Sequence, residues 1–356
     1  MKLFTDIPKG ATPEQWIASQ QSPARLPSAR LPILITGLAG VPGYNALPYF
    51  RQRYGDYAVG QRMVRNWPLQ APGIIPCDVE DTLAFRRLLQ HHNVKTILNC
   101  GGSCALKSCE LDPEMAFRVN VNTVDRLIDA IDDLDIKLIH LSIDLVFSGK
   151  GDGDYRETDA PDPVTVYGKT MVQAEDIVLK RRPNACILRI SLPMGVSFNG
   201  HAGAIDWIQN RFAKSKPATL YFDEIRTPTY VECMNELFEE VIVRDLSGMY
   251  HAGGPSKLSL FQIAQIVNRV GGYDPHLLKG CPRIEAGPIP PRAGNVSMNS
   301  ERLYQALDRD VFFHWPLQSE HLPTDADWHF NRSDWSGNRL LLSKTLYQRP
   351  NSSNCT

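Results

Sequence analysis

At 356 residues, with 43% hydrophobic and 22% charged residues and a formal net charge of −1, the chain has enough apolar material for a full core. It has no charge excess to draw it to nucleic acid or to an anionic membrane. Its length exceeds one ordinary domain, so one large domain with an elaborated lobe and two domains both fit. No apolar run approaches a membrane-spanning length, and the first thirty residues lack the uninterrupted apolar core of a signal peptide. A cytoplasmic location is the simplest expectation.

The eight cysteines, at 77, 100, 104, 109, 186, 233, 281 and 355, are spread as reduced thiols are, not crowded as in a disulfide scaffold. Cys100, Cys104 and Cys109 form a local cluster, but their spacing matches no usual zinc pattern, and no metal is expected.

Residues 1–30 read as an extension, in which Thr12-Pro13 marks a helix start. Three apolar residues, Ile33 to Ile35, then run into Thr36, and Gly37, Gly40 and Gly43 fall three apart before a helix-compatible segment reaching about Tyr54. This predicts strand, tight turn and helix N-terminus, a geometry that brings backbone N–H groups close to a pyrophosphate. The spacing is GxxGxxG rather than the general GxGxxG, so the context decides. Strands are predicted near Tyr57–Gly60, Gly73–Pro76, Thr96–Cys100, Lys137–Ser142 and Ala185–Ser191. They alternate with helices at Asp81–His92, Pro113–Asp132 and Tyr167–Lys180. Such alternation predicts an α/β fold, a doubly wound parallel sheet of Rossmann type covered by helices on both faces, with a smaller C-terminal lobe. Residues 31–191 form the sheet domain, and 225–245 return to it. The lobe takes 192–224 and 246–325, with helices around Ile205–Ala213, Leu258–Val270 and Ser300–Leu307; Asn235–Val243 is a further helix. Residues 326–356 read as a loosely ordered tail.

Nine segments carry a family resemblance. They are ITGLAGVPG (35–43), CDVED (77–81), LNCGG (98–102), AFRVNVNTV (116–124), LSIDLVFSG (141–149), VYGKT (166–170), LRIS (188–191), RTPTYV (226–231) and GMYHAGGPSKLS (248–259). In this order they resemble the extended short-chain dehydrogenases/reductases, and within them the dTDP-4-dehydrorhamnose reductase branch. The resemblance implies a Rossmann domain binding NADP or NAD and a lobe binding a nucleotide-linked sugar. It implies cofactor contacts at Gly37, Leu38, Ala39, Gly40, Val41, Pro42, Gly43, Asp78, Val79, Gly101, Gly102 and Tyr167, and substrate contacts at Ser103 and Arg226. The second strand ends at Gly60-Gln61-Arg62 without an acidic partner for a ribose 2′-hydroxyl. Arg62 and Arg65 suit a 2′-phosphate, or are solvated surface residues; NADP is favoured over NAD. Asp78 faces the adenine in relatives and also suits a helix N-cap.

Reduction of a keto-sugar in this family uses a tyrosine, a lysine four residues on, and a serine or threonine on the fifth strand. The ammonium lowers the phenol's pKa from about 10, and the hydroxyl polarises the carbonyl. Tyr167 fits the proton donor, whereas Met171 occupies the lysine position and Ile143 the hydroxyl position. Lys169 and Ser142 are the auxiliary candidates, although Lys169 lies about 200° around the helix from Tyr167 and Ser142 points to the opposite strand face from Ile143. Two functions follow: a reductase with an altered site, or an NADP-binding regulatory or scaffold subunit with little turnover, for which the β subunit of methionine adenosyltransferase is a model. A structural protein with an empty cleft is a third class. Arg226 suits a diphosphate or a structural salt bridge. Asn199 and His201 lie in a glycine-rich loop that can cap a substrate. His91-His92 ends a helix, and Asp152, Asp154, Glu157 and Asp159 form a solvated acidic loop. Partners expected are a small molecule, by resemblance a nucleotide-sugar, and a second copy of the chain or another protein.

Overall fold

A computed structural model describes residues 26–200, 202–331 and 337–348. Seven parallel strands form the central sheet: β1 Ile33–Ile35, β2 Ala58–Arg62, β3 Ile74–Pro76, β4 Thr96–Asn99, β5 Lys137–Ile143, β6 Cys186–Ile190 and β7 Gly248–Ala252. Their order across the sheet is β7-β6-β5-β4-β1-β2-β3. The chain thus runs outward one way from β1 to β3 and the other way from β4. The crevice at this reversal, beyond the carboxyl ends of β1 and β4, is where open α/β sheets bind ligands.

The period of two along each strand sorts the core into two layers. Ile33 and Ile35 pack with Leu98, Leu141 and Leu188 under helix α1 (Val41–Tyr54), while Leu34 packs with Ile97, Leu138 and Ile187 on the other face. That second face is covered by α2 (Thr82–His91), α3 (Thr123–Ile131) and α4 (Val166–Arg181) through Phe85, Leu88, Leu127, Ile128, Ala174 and Val178. Each fully buried side chain of this kind stabilises by roughly 1.5–3 kcal/mol. A smaller group of elements follows β6. Helix α5 (Ala204–Ala213) packs against Ala218–Tyr221, which pairs in parallel with Leu278–Cys281. Helix α6 (Val231–Val243) returns to lie against α1, and α7 (Leu260–Val270) starts from a capping box of Ser259 and Gln262.

Four expectations need correction. Gly248–Ala252 is not in the lobe but the edge strand beside β6, reached through α6 as a parallel crossover; its GMYHA sequence lacks the branched apolar run that marks the other strands. Leu258–Ser259 is a short strand paired with Ile225–Arg226, and the helix begins only at Leu260. The predicted Pro113–Asp132 helix is interrupted by a π-turn at Arg118–Asn122 and preceded by a separate helix at Leu106–Leu111. The tail beyond residue 325 is packed where it is described: Trp328, Leu342, Leu346 and Tyr347 are buried in the α1-side core. Its apolar residues are few and irregularly spaced, so tertiary contact rather than local pattern fixes it. The predicted helix at Thr12 and residues 349–356 lie outside the described residues.

Candidate active site

The glycine turn joins β1 to α1 under close backbone contact. Gly37 has φ +66°, and a Cβ there would lie 2.1 Å from the Cys100 carbonyl oxygen; one at Gly43 would lie 2.6 Å from that of Gly37. A side chain at Gly37 therefore forces β1 and β4 apart. Gly40 caps α1, and at its Cα the space is open, with nothing nearer than 3.6 Å to an added Cβ. In the first turn of the helix the amides of Val41 and Gly43 have no intrahelical acceptor, while Pro42 has no N–H to offer. Glycine room, free donors and the positive helix end together fit an anionic pyrophosphate.

Beneath the turn, Thr36 Oγ1 donates to Asn99 Oδ1 (2.7 Å), which also accepts from the Gly101 amide (3.2 Å). Asn99 Nδ2 lies 3.0 Å from His140 Nδ1. Burial lowers the His140 pKa to about 4, so the ring is neutral and its Nδ1 accepts from Asn99. This belt holds the ends of β1, β4 and β5 together below the crevice. At the far end of the turn, Arg62 donates from Nη1 to the carbonyls of Met63 and Val64 (3.0 Å each), and Asp78 accepts from the Val64 amide at 2.9 Å. Both residues thus close the loop after β2. Asp78 is not the helix cap: Asp81 is, accepting from the Ala84 amide at 2.9 Å. Val79 is buried in the core beside Val59.

The opposite end is built by β5 and α4. Thr165 caps α4 by accepting from the Gly168 amide at 2.9 Å. Gly168 admits the helix against the turn after β5, where an added Cβ would be 2.2 Å from the Leu145 carbonyl oxygen. This close seating sets Tyr167 into the wall of a cavity of about 600 Å³ that extends from Gly40, Val41 and Pro42 past Gly101 and Gly102. Among the described residues the Tyr167 hydroxyl has no hydrogen-bond partner. Burial, then the neighbouring Cys104 and Asp144, push its pKa well above the ordinary value, against the opposing pull of Arg226.

Ile143 and Met171 line the same cavity, so an apolar wall stands where the family's hydroxyl and ammonium would be. Neither auxiliary candidate replaces them. Ser142 points toward α4, donating to Glu175, whose carboxylate is held by Arg189 at 2.9 and 2.7 Å; all three are buried. Lys169 lies exposed on the outer side of α4, as its offset of two residues requires.

Arg226 borders the cavity but has its fork on Asp144: Nε donates at 2.6 Å, and Nη2 forms the second bond. This is the structural salt bridge rather than a free diphosphate clamp. Although burial opposes its charge, Asp144 and Glu224 hold the guanidinium more firmly protonated than usual. Ser191 Oγ donates to Asp144 and accepts from the Thr227 amide at 3.1 Å. Glu224, whose pKa burial raises against the pull of Arg292 and Arg226, accepts from Arg292 at 2.8 Å. Ser103 does not line the cavity; its backbone is pinned by Asn120, which accepts from its amide at 2.7 Å. Asn120 also donates to Thr170 Oγ1 at 3.0 Å, tying the π-turn to α4.

Asp144, Glu224, Arg292 and Asn120 were not singled out by sequence reasoning. The available signal was an acidic residue directly after a buried strand, and an asparagine within AFRVNVNTV, both inside segments that carry the resemblance. Asn199 accepts from Ser197 Oγ at 3.3 Å and does not line the cavity, and His201 lies outside the described residues. In the acidic loop, Asp154 pairs with Lys257 (2.9 Å) and Glu157 accepts from the His251 amide (2.7 Å). Among the described residues no group of three His, Cys, Asp or Glu side chains could hold a metal ion.

Crevice, glycine turn and tyrosine-bearing helix together define an extended short-chain dehydrogenase/reductase, of the RmlD-like branch. A family model described as the RmlD substrate binding domain matches residues 31–320, and the chain belongs to that family. It is 27% identical over 286 residues to dTDP-4-dehydrorhamnose reductase of Mycolicibacterium smegmatis, covering 80% of this chain and 82% of that protein. It is 26% identical over 256 residues to methionine adenosyltransferase 2 subunit beta of Xenopus laevis, covering 70% and 74%. The crystal structure of dTDP-4-dehydrorhamnose reductase from Bacillus anthracis in complex with NADP shares the fold, with a TM-score of 0.63 at 20% identity over 78% of this chain and 96% of that one.

Proposed function

We propose that this chain is an NADP(H)-dependent reductase with an altered active site, acting on a nucleotide-linked keto-sugar or a related carbonyl. The observation that carries the reading is the single cavity running from the glycine turn to the Tyr167 side chain. Val41, Gly43 and the α1 N-terminus would hold the pyrophosphate, and Gly101 and Gly102 would leave room for the cofactor beside the end of β4. Arg62 and Arg65, with no carboxylate at the end of β2, support NADP over NAD. Kinship with the Mycolicibacterium reductase supports a nucleotide-linked keto-sugar, and the Bacillus structure holds NADP. The bound nicotinamide supplies the hydride.

Tyr167 supplies the proton. With its pKa raised by burial it remains a neutral phenol at physiological pH, able to give a proton to a developing alkoxide but not to act as a base. The dispersed spacing of the cysteines supports a reducing compartment, and we place the protein in the cytoplasm. Among the described residues no helix is long and apolar enough to cross a membrane.

The test is consumption of saturating NADPH by the purified chain with a panel of carbonyls that includes a dTDP-linked 4-keto-sugar. Tyr167→Phe is expected to lower kcat by about 10²–10⁴-fold with NADPH affinity unchanged; equal rates for the two proteins would refute the assignment. The apolar wall of Ile143 and Met171 favours a second reading, a dinucleotide-binding regulatory or scaffold subunit with little turnover, a role that fits kinship with the Xenopus subunit. It predicts NADPH binding, no consumption with any carbonyl, and a stable protein partner on co-purification.

A further inference from the structure

The loop after β6 crosses the start of α1. Asn45 Nδ2 donates to the Val196 carbonyl at 2.7 Å, and the Phe198 amide donates to the Ala39 carbonyl of the glycine turn at 3.4 Å. Gly195 and Gly203 leave room for Val41 between them: an added Cβ would stand 3.2 and 3.0 Å from its two methyl groups. Ala202 and Gly203 share the cavity wall with Gly40, Val41 and Pro42. The loop therefore lies beside the amides that fit a pyrophosphate.

What fixes this loop comes from the far end of the chain. Asp206, in the first turn of α5, accepts on Oδ2 from the Ser197 amide (2.9 Å) and hydroxyl (2.6 Å), and Ser197 Oγ accepts from the Ala202 amide at 3.1 Å. Asp206 Oδ1 accepts from the Tyr347 hydroxyl at 3.1 Å, a donor shared with Gln209 Oε1 at 2.8 Å. Ser197, Asp206 and Tyr347 are all buried, so water competes little for these bonds. The π-turn Ser343–Tyr347 is itself anchored: the carbonyls of Thr345 and Leu346 accept from Tyr230 (3.0 Å) and Trp315 (2.9 Å). Helix α5 meanwhile presents two faces. Asp206 and Gln209, three apart, meet Tyr347, whereas Ala204, Trp207 and Ile208 line the cavity. One hydroxyl thus bears on both the loop beside the cradle and the helix that walls the cleft.

We infer that Tyr347 is a positioning residue for the dinucleotide: through Asp206 and Ser197 it holds the loop after β6 against the glycine turn, and so retains the bound cofactor. The inference rests on the reading of the glycine turn as a dinucleotide cradle. NADPH release from the full chain, followed by stopped-flow fluorescence beside an equilibrium titration, tests it. Tyr347→Phe keeps the ring and removes only the donor; it is expected to raise the release rate and the Kd by about tenfold. Ser197→Ala breaks the same chain of bonds and is expected to do likewise, with the double variant no worse than either single. A folded Tyr347→Phe that releases NADPH at the wild-type rate overturns the inference, even if its urea midpoint falls, since a merely structural bond would show in the midpoint alone. Additive effects in the double variant also overturn it. Should Tyr347→Phe fail to fold, Ser197→Ala decides, and unchanged release from it overturns the inference. A wild type that binds no NADPH removes the cradle reading and this inference with it, whereas tight wild-type binding with unchanged variants removes the inference alone.

Discussion

The two ends of the cleft are made of different material. At the cofactor end the features are backbone features: a left-handed glycine, unfilled amides at a helix start, and close contact between the turns after β1 and β4. At the tyrosine end they are side-chain features: Asp144 on Arg226, Ser142 on Glu175, Tyr167 against Ile143 and Met171. Backbone geometry tolerates drift at most neighbouring positions so long as the glycines stay. Side-chain chemistry is lost with one residue. This chain has kept all of the first kind and one of three groups of the second.

The comparison breaks most visibly at the buried ion pair. Asp144→Ala removes both hydrogen bonds of the buried Arg226 and leaves it only the more distant Glu224 at 3.8 Å, and is expected to cost about 3–5 kcal/mol. The check is the urea midpoint, with Asp144→Asn losing less because it keeps acceptors for the guanidinium. If Asp144→Ala unfolds at the wild-type midpoint, the tyrosine end is not held by its charges.

A second effect belongs to the belt beneath the glycine turn. Burial lowers the folded-state pKa of His140 to about 4, whereas in the unfolded chain it titrates near its ordinary value. Between these values the unfolded state binds more protons, so stability falls as pH drops from about 6.5 toward 4 and is independent of this group above that window. The contribution lost is about 3 kcal/mol at the lower limit. His140→Gln, which keeps an acceptor for Asn99, is expected to flatten that slope; an unchanged slope would remove His140 as its source.

The smallest effect sharpens the contrast most. Met171→Lys combined with Ile143→Thr rebuilds the missing groups on an unaltered backbone. It is expected to raise kcat by about tenfold, near 1.4 kcal/mol, on whichever carbonyl the wild type reduces. The added ammonium also brings the phenol's titration down, so an alkaline limb absent from the wild-type pH profile should enter it. No gain would leave the altered chemistry without support at this site.

What was legible in the sequence follows the same division. The parallel sheet, the glycine turn and Tyr167 could be read because strand periodicity, glycine spacing and the VYGKT segment are local signals. The losses at Ile143 and Met171 were legible too, since one substitution at a known spacing suffices. Asp144, Glu224 and Arg292 were not, because the strongest partner of each lies far along the chain: Arg226 is 82 residues from Asp144, and Arg292 is 68 from Glu224. A carboxylate and an arginine in separate loops say nothing in sequence about which will meet. The edge strand at Gly248–Ala252 and the packed segment around Trp328, Leu346 and Tyr347 escaped for the same reason, since their burial depends on what they dock against.

The central claim is that the glycine turn is a working dinucleotide cradle whatever has become of the chemistry beyond it. Calorimetric titration of the full chain with NADPH, beside Gly37→Val, tests it most directly. Saturable one-to-one binding to the wild type, lost in a variant whose added side chain would collide with the Cys100 carbonyl, is the result predicted. An absence of binding to the wild type, or equal binding to both proteins, would contradict it.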